Sequence, residues 1–294
     1  MTTKYVNTSV LTIAYEEQGS PDGAPVLLLH GFPDDARAWD AVAQGLANAG
    51  FRTIAPYGRG FGPTRFRDDA TQRSGQNGAL AQDAIDLADA LGLGEFTLVG
   101  HDWGAQAAQA VAALHPDRVA HLVSFAPYSL TWSDYQEGPP NYPQIRALWY
   151  QNVLQGELGE NLLTYDRGGF CRYLWETWSP SRTWDDTAFA ATAASFDNPD
   201  FVAVALHAYR SGYGQAPNDP RYDAIEAQLA QRPPIAVPTT VLLGRDDGVG
   251  LFAPAMLEQR RDFTGRYVAR AYDGVGHFIH RERPDVVIDA IRQL

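Results

Sequence analysis

A chain of 294 residues, 45% hydrophobic and 20% charged, has the make-up of an ordinary globular protein, which excludes disorder and coiled coil, and is long enough to bury a large core. Its formal net charge of −12 argues against a nucleic-acid or anionic-membrane surface, because phosphate binding needs clustered Lys and Arg. A single cysteine, Cys171, excludes an internal disulfide and a cysteine-built zinc site, and reads as a small buried hydrophobe.

The N-terminus shows no basic segment leading into an apolar stretch, and no apolar run approaches the ~20 residues needed to span a bilayer, so a soluble cytoplasmic protein is expected. Residues 10–16 alternate apolar and polar, as a half-buried strand does. Ser20-Pro21-Asp22-Gly23 is turn chemistry. The continuous apolar run 25–30 fits a strand covered on both faces. A helix is expected over 38–49, ended by Gly50, then a short strand over 52–56. Residues 75–91 have helical spacing, 96–100 read as another buried strand, 105–114 as an Ala-rich helix, and 119–126 as a strand. Strand and helix alternate throughout, which implies parallel strands joined by helical crossovers: an α/β sheet flanked by helices.

The rhythm breaks near Pro127. From about 129 to 234 no strand is evident, and short helices such as 145–154 and 201–210 are expected among Gly, Pro and Asn. This stretch holds Trp132, Trp149, Trp175, Trp178 and Trp184. Strands return at 239–244 and 267–272, and an amphipathic helix over 284–294 ends the chain, with Pro284 in its first turn. The expected organisation is a core of residues 1–128 and 236–294, interrupted by a helical cap over 129–235.

The chemistry gathers at strand ends. In Leu98-Val-Gly100-His101-Asp102-Trp103-Gly104-Ala105 a strand runs into a helix with small residues two before and two after Asp102, the spacing of a nucleophile elbow with Asp in place of Ser. Such a sharp turn leaves no room for bulky flanking side chains, and the following helix N-terminus favours an anion at its centre. The plain alternative for Asp102 is a helix N-cap. Three further signals favour the elbow. His30-Gly31-Phe32-Pro33 can present the Phe32 N–H to an oxyanion, with the Trp103 N–H as second donor. Gly276-His277-Phe278 follows the last strand, where a base would sit. Gly244-Arg245-Asp246-Asp247 follows the preceding strand and offers an acid to orient it. The order nucleophile, acid, histidine is that of the α/β-hydrolase arrangement.

Over nearly its whole length the sequence resembles the α/β-hydrolase family, specifically its epoxide-hydrolase-like branch with an aspartate nucleophile. The motifs carrying the likeness are His30-Gly-Phe-Pro33, Arg59-Gly-Phe-Gly62, Gly100-His-Asp-Trp-Gly-Ala105 and Gly276-His-Phe278. The resemblance implies two cap tyrosines that grip an epoxide oxygen: Tyr150, in Trp149-Tyr150-Gln151, and Tyr209, in Ala208-Tyr209-Arg210. The alternative is that both are aromatics packing core against cap. The family's usual spacing selects Asp247 over Asp246 as the acid. Pro56-Tyr57-Gly58-Arg59 departs from the Pro-Asp-x-Arg segment of many relatives. His30 and His101 are expected to brace the turns around the elbow, Arg59 to pin a loop, and His207, one helical step from Tyr209, to line the pocket or stand outside it.

Aspartate at the elbow has a chemical meaning. A carboxylate attacking a saturated carbon leaves an ester, which water can cleave at its carbonyl; a serine would leave an ether. The expected activity is conversion of an epoxide to a vicinal diol through an Asp102 ester, on a small apolar epoxide with water, as a monomer or homodimer and without metal or organic cofactor. The nearest alternative is a dehalogenase, since Trp103 could present its indole N–H to a halide. Against it, Phe32 stands where one haloalkane dehalogenase group carries a halide-binding Asn, and Trp103 where fluoroacetate dehalogenases favour Arg. A non-catalytic ligand receptor on the same fold is the alternative of another class. No Gly-x-Ser-x-Gly pentapeptide is present, which leaves a serine esterase without a nucleophile.

Overall fold

Hydrophobic strands build the centre of the molecule. In the computed structural model, which describes residues 3–125, 141–258 and 260–293, the first elements are β1 (Lys4–Asn7), β2 (Leu11–Gln18) and β3 (Ala24–Leu29). A single 3-10 turn leads into α1 (Asp40–Asn48), followed by β4 (Phe51–Pro56), β5 (Arg65–Phe66), α2 (Asn77–Ala90), β6 (Phe96–His101), α3 (Trp103–Leu114) and β7 (Val119–Phe125). Between β7 and the next strand lie α4 (Tyr142–Ala147), α5 (Trp149–Val153), α6 (Glu157–Tyr165), α7 (Arg167–Trp178), α8 (Asp186–Ala193), α9 (Phe201–Gly212) and α10 (Asp223–Ala230). The chain closes with β8 (Thr239–Gly244), β9 (Tyr267–Tyr272), α11 (Ile279–Glu282) and α12 (Pro284–Arg292).

The sheet runs β1-β2-β4-β3-β6-β7-β8-β9, with β5 paired to β2. From β4 to β9 neighbours are parallel; β1 and β2 are antiparallel additions at one edge. Alternation along each central strand divides its side chains between two cores. Leu27, Leu29, Phe96, Leu98 and Leu122 join the cluster made with α2 and α3. Val26, Leu28, Val99, Val123 and Phe125 join the one made with α1 and α12. A strand covered on both faces needs apolar residues at every position, which is why β3 reads as an unbroken apolar run.

The expected α/β sheet flanked by helices is therefore present, with local differences. β1 and β5 escaped the sequence reading, because Lys4–Asn7 has an exposed face pattern and Arg65–Phe66 is two residues long. The expected helix over 145–154 is two helices, α4 and α5, breaking at Leu148. Among the described residues 141–234 no strand occurs. Residues 126–140, including Trp132 and the expected start of the cap at 129, lie outside the described residues. No helix of the described residues is long and apolar enough to cross a membrane.

Candidate active site

β6 ends at His101 and α3 begins at Trp103, so one residue makes the whole turn. That residue, Asp102, sits at φ 52°, ψ −117°, a sparsely populated conformation for a non-glycine that costs on the order of 1–3 kcal/mol and persists where function needs it. The flanking glycines permit the turn: a Cβ on Gly100 would overlap the Gly104 carbonyl, and one on Gly104 the Leu29 carbonyl. The Asp102 side chain is thereby aimed off the end of the sheet. The Phe32 N–H, just beyond β3, donates to its Oδ1 at 2.8 Å, and the Trp103 N–H also supports its charge. Burial nonetheless raises the Asp102 pKa, against the opposing pull of His277 and these two amides.

The loop after β9 brings His277 to the same place. Its Nε2 lies 3.8 Å from Asp102 Oδ2, a gap that one water molecule can bridge from the side. Its Nδ1–H donates to Asp247 Oδ2 and Oδ1 at 3.1 and 3.2 Å. Asp247 is in turn held by the N–H groups of Val249 and Gly250, at 2.8 and 2.9 Å. Burial alone would lower the His277 pKa, but the carboxylates of Asp247 and Asp102 outweigh it and raise the value. The neighbouring Asp246 instead accepts from the exposed Ser181 hydroxyl, so the geometry separates the two aspartates that sequence left side by side.

Both tyrosines reach this centre from the inserted helices. Tyr150 on α5 and Tyr209 on α9 are buried, with their rings edge-on at 5.6 Å. Tyr209 packs 5.5 Å from both Phe32 and Trp103. Tyr150 lies 4.9 Å from Trp178, whose ring is 5.0 Å from His277. Burial, together with the nearby Asp102 charge, pushes both phenols well above their ordinary pKa, so they stay neutral donors. The Trp103 side chain opposes the rise at Tyr209; an indole only donates, so that contact occupies a phenol lone pair rather than its proton.

Other singled-out residues lie around the site. His30 Nε2 accepts from the Gly58 N–H at 2.9 Å, tying the loop after β3 to the loop after β4. His101 Nε2–H donates to the His277 carbonyl at 3.1 Å. Arg59 is fully buried and grips Asp83 through two bonds of 2.7 Å. His207 faces the segment before α2, accepting from the Gly75 N–H at 3.0 Å and bonding the Pro217 carbonyl. Cys171 is buried, as expected. Among the described residues Asp34, His101 and His280 bring metal-ligand types within 4.8 Å of one another. Asp34 is already bound by Arg281, at 2.5 and 2.9 Å, and by His280, so the trio reads as a charge-balanced packing cluster. Sequence reasoning missed Ser179 and Glu282, which contact the His277 loop; a serine at a helix end and a glutamate on a short helix carry no motif of their own.

Comparison with known proteins agrees with this architecture. The family profile described as the alpha/beta hydrolase fold matches residues 24–284. A solved structure from Klebsiella pneumoniae, provisionally described as an epoxide hydrolase, is 38% identical, with a TM-score of 0.94 over 99% of this chain and 96% of its own. A Caballeronia sordidicola protein named epoxide hydrolase is 29% identical over 94% of this chain and 88% of its own. Epoxide hydrolase B of Mycobacterium tuberculosis is 38% identical over 143 residues, 44% of this chain and 39% of its own. With the profile spanning most of the chain and a structural relative alike from end to end, the chain belongs to the α/β-hydrolase family, in its epoxide-hydrolase-like branch.

Proposed function

We propose that this protein hydrolyses small epoxides to vicinal diols, with residues 129–235 acting as a cap over a core of 1–128 and 236–294. The observation that carries the reading is the division of labour on one carboxylate: Asp102 Oδ1 is held by the Phe32 amide while Oδ2 faces His277, whose other nitrogen is on Asp247. The names of the relatives from Klebsiella and Caballeronia support it.

Asp102 Oδ2 attacks a ring carbon. The carbon–oxygen bond breaks, its electron pair goes to the ring oxygen, and Tyr150 and Tyr209 stabilise that oxygen, one of them giving it a proton. The result is a hydroxyalkyl ester on Asp102. His277 then removes a proton from water, and the hydroxide adds to the Asp102 carbonyl carbon. The Phe32 amide, already on Oδ1, and the Trp103 amide hold the oxyanion; loss of one such donor typically costs about 10²–10³ in rate. Collapse expels the diol oxygen, which takes the proton from His277. Re-ionisation of Asp102 returns a proton to the phenol, closing the balance at epoxide plus water to diol. Nothing in the sequence calls for a resident cofactor.

The deciding experiment is mass spectrometry of His277→Gln incubated with a panel of small epoxides. The expected result is a stable adduct of one epoxide mass, located by peptide mapping to Asp102. An adduct elsewhere, or none, overturns the reading. A wild type that releases halide from alkyl halides while forming no diol would assign the same residues to dehalogenation.

A further inference from the structure

The helix α7 reaches across to the loops that carry the acid and the base. Its last carbonyl, on Trp178, accepts from the Gly248 N–H at 3.0 Å and from the His277 N–H at 3.2 Å. The next residue, Ser179, is fully buried, and its Oγ accepts from the His277 N–H at 2.9 Å and the Phe278 N–H at 3.3 Å. The same hydroxyl donates to Glu282 Oε1 at 2.7 Å. Glu282 completes the ring, accepting from the Phe278 N–H at 3.1 Å and, through Oε2, from the Gly276 N–H at 2.9 Å.

A second observation agrees. Gly248 and Gly276 each lie within one residue of Asp247 or His277, and both lack room for a side chain because of this same helix end. A Cβ on Gly248 would overlap the Thr177 carbonyl, and one on Gly276 would overlap Ser179. The end of α7 thus occupies space vacated next to two functional residues and answers the His277 and Phe278 amides, while Glu282 on α11 answers those of Gly276 and Phe278. Packing and hydrogen bonding together leave that loop a single arrangement.

We propose that Ser179 and Glu282 are positioning residues that hold His277 for water activation, so that docking of the α7 end is required for cleavage of the Asp102 ester and not for opening of the epoxide ring. This rests on the reaction proposed above for its two half-reactions. The groups facing His277 are Asp247 after β8, Asp102 at the elbow, Glu282 on α11, His101 on β6 and His280 on α11. Of these the three carboxylates favour its protonated form, and both histidines are held neutral by burial. Glu282 therefore adds charge as well as geometry, whereas Ser179 adds geometry alone.

That difference gives the test. In rapid-mixing single-turnover experiments, Ser179→Ala and Glu282→Gln should each slow ester hydrolysis by about 10–100-fold, as misplacement of a catalytic group does, and leave ring opening within about 2-fold of wild type. Glu282→Gln should also move the acid limb of hydrolysis, and the NMR titration of the His277 ring in resting protein, to lower pH. Ser179→Ala should leave both where they are. Equal slowing of the two half-reactions, or a His277 titration in Glu282→Gln identical to wild type, overturns the proposal. The ring titration needs no substrate. It judges the clamp even if no epoxide adduct forms, and a missing adduct counts against the reaction alone.

Discussion

The two sides of the catalytic seam are built from different materials. Below it, the sheet and its helices pack mostly aliphatic side chains, Leu, Val, Ile and Ala, in two clusters on opposite faces. Above it, the cluster joining the inserted helices to the core is aromatic: Phe32, Trp103, Tyr150, Trp175, Trp178 and Tyr209 among others. The aliphatic side places Asp102 through backbone geometry, with strand register, a tight turn between two glycines and amide donors. The aromatic side places its phenols ring against ring, with a hydrogen bond to each phenol oxygen, and gives each large apolar body one polar tip. A carboxylate nucleophile needs rigid orientation. In the proposed reaction, proton donors for a departing oxygen need an apolar setting that keeps them neutral, and these aromatics provide it.

The comparison breaks most completely at the elbow. Asp102→Asn keeps the turn and the amide contacts but removes the attacking charge; turnover should fall by about 10⁴-fold or more, measured as diol formation, with no change in melting temperature larger than a few degrees. On the aromatic side the loss should be smaller and shared. Tyr150→Phe and Tyr209→Phe should each lower the ring-opening rate by about 10²-fold, and the double variant by more than either, since each retains one donor. A single variant as inactive as the double would show that one phenol alone serves the oxygen.

The pH dependence sharpens the contrast between resting and reacting states. In the resting protein the Asp102 carboxylate helps to raise the His277 pKa. In the ester that charge is gone, so His277 holds its proton less tightly. The acid limb of ester hydrolysis should therefore lie at lower pH than the titration of the His277 ring in free protein. Coincidence of the two would mean that Asp102 does not act on His277 electrostatically.

The smallest expected effect is on stability, at the back of the seam. Asp34 and Asp35 are adjacent and both buried, yet opposite in behaviour. Burial would raise Asp34, but Arg281 and His280 hold it well below the usual carboxylate range. Asp35 is pushed up to about 7 by burial and by the Asp34 charge, while accepting from Ser195 and Thr192 of the inserted segment at 2.5 and 3.2 Å. A carboxyl whose folded pKa lies above its unfolded value of about 3.9 favours the folded state only while protonated, so its contribution is lost as pH rises from about 4 to about 7. Asp34 has the opposite sign and loses its contribution as pH falls below the usual carboxylate range. Asp35→Asn should thus flatten the fall in melting temperature between pH 4 and 7 and melt a few degrees higher than wild type at pH 8.

Much of this was legible in advance, for reasons that differ from residue to residue. Asp102 could be located because the turn that exposes it demands small residues at fixed offsets, and because the motifs at the other strand ends favour an elbow over a helix N-cap. Asp247 and His277 could be located because each follows a strand directly, and a parallel sheet brings all strand ends to one edge. The break between α4 and α5 was not legible, since the apolar spacing runs on through Leu148. Nor was the choice between Asp246 and Asp247 open to derivation from residue type, because two adjacent carboxylates differ only in which way the chain turns.

Periodicity and turn chemistry determined the layered α/β core and the interruption by helices, because each depends on neighbours within a few positions along the chain; the elbow residue was singled out only together with the motifs at the other strand ends. The arrangement across the seam was decided only by folding. It took the tertiary structure to put Tyr150 and Tyr209 edge to edge, and to set Ser179 and Glu282 around the amides of the His277 loop, 98 and 5 residues away along the chain. Contacts between distant segments depend on how helices dock, and docking is governed by shape complementarity, on which no short stretch of sequence bears.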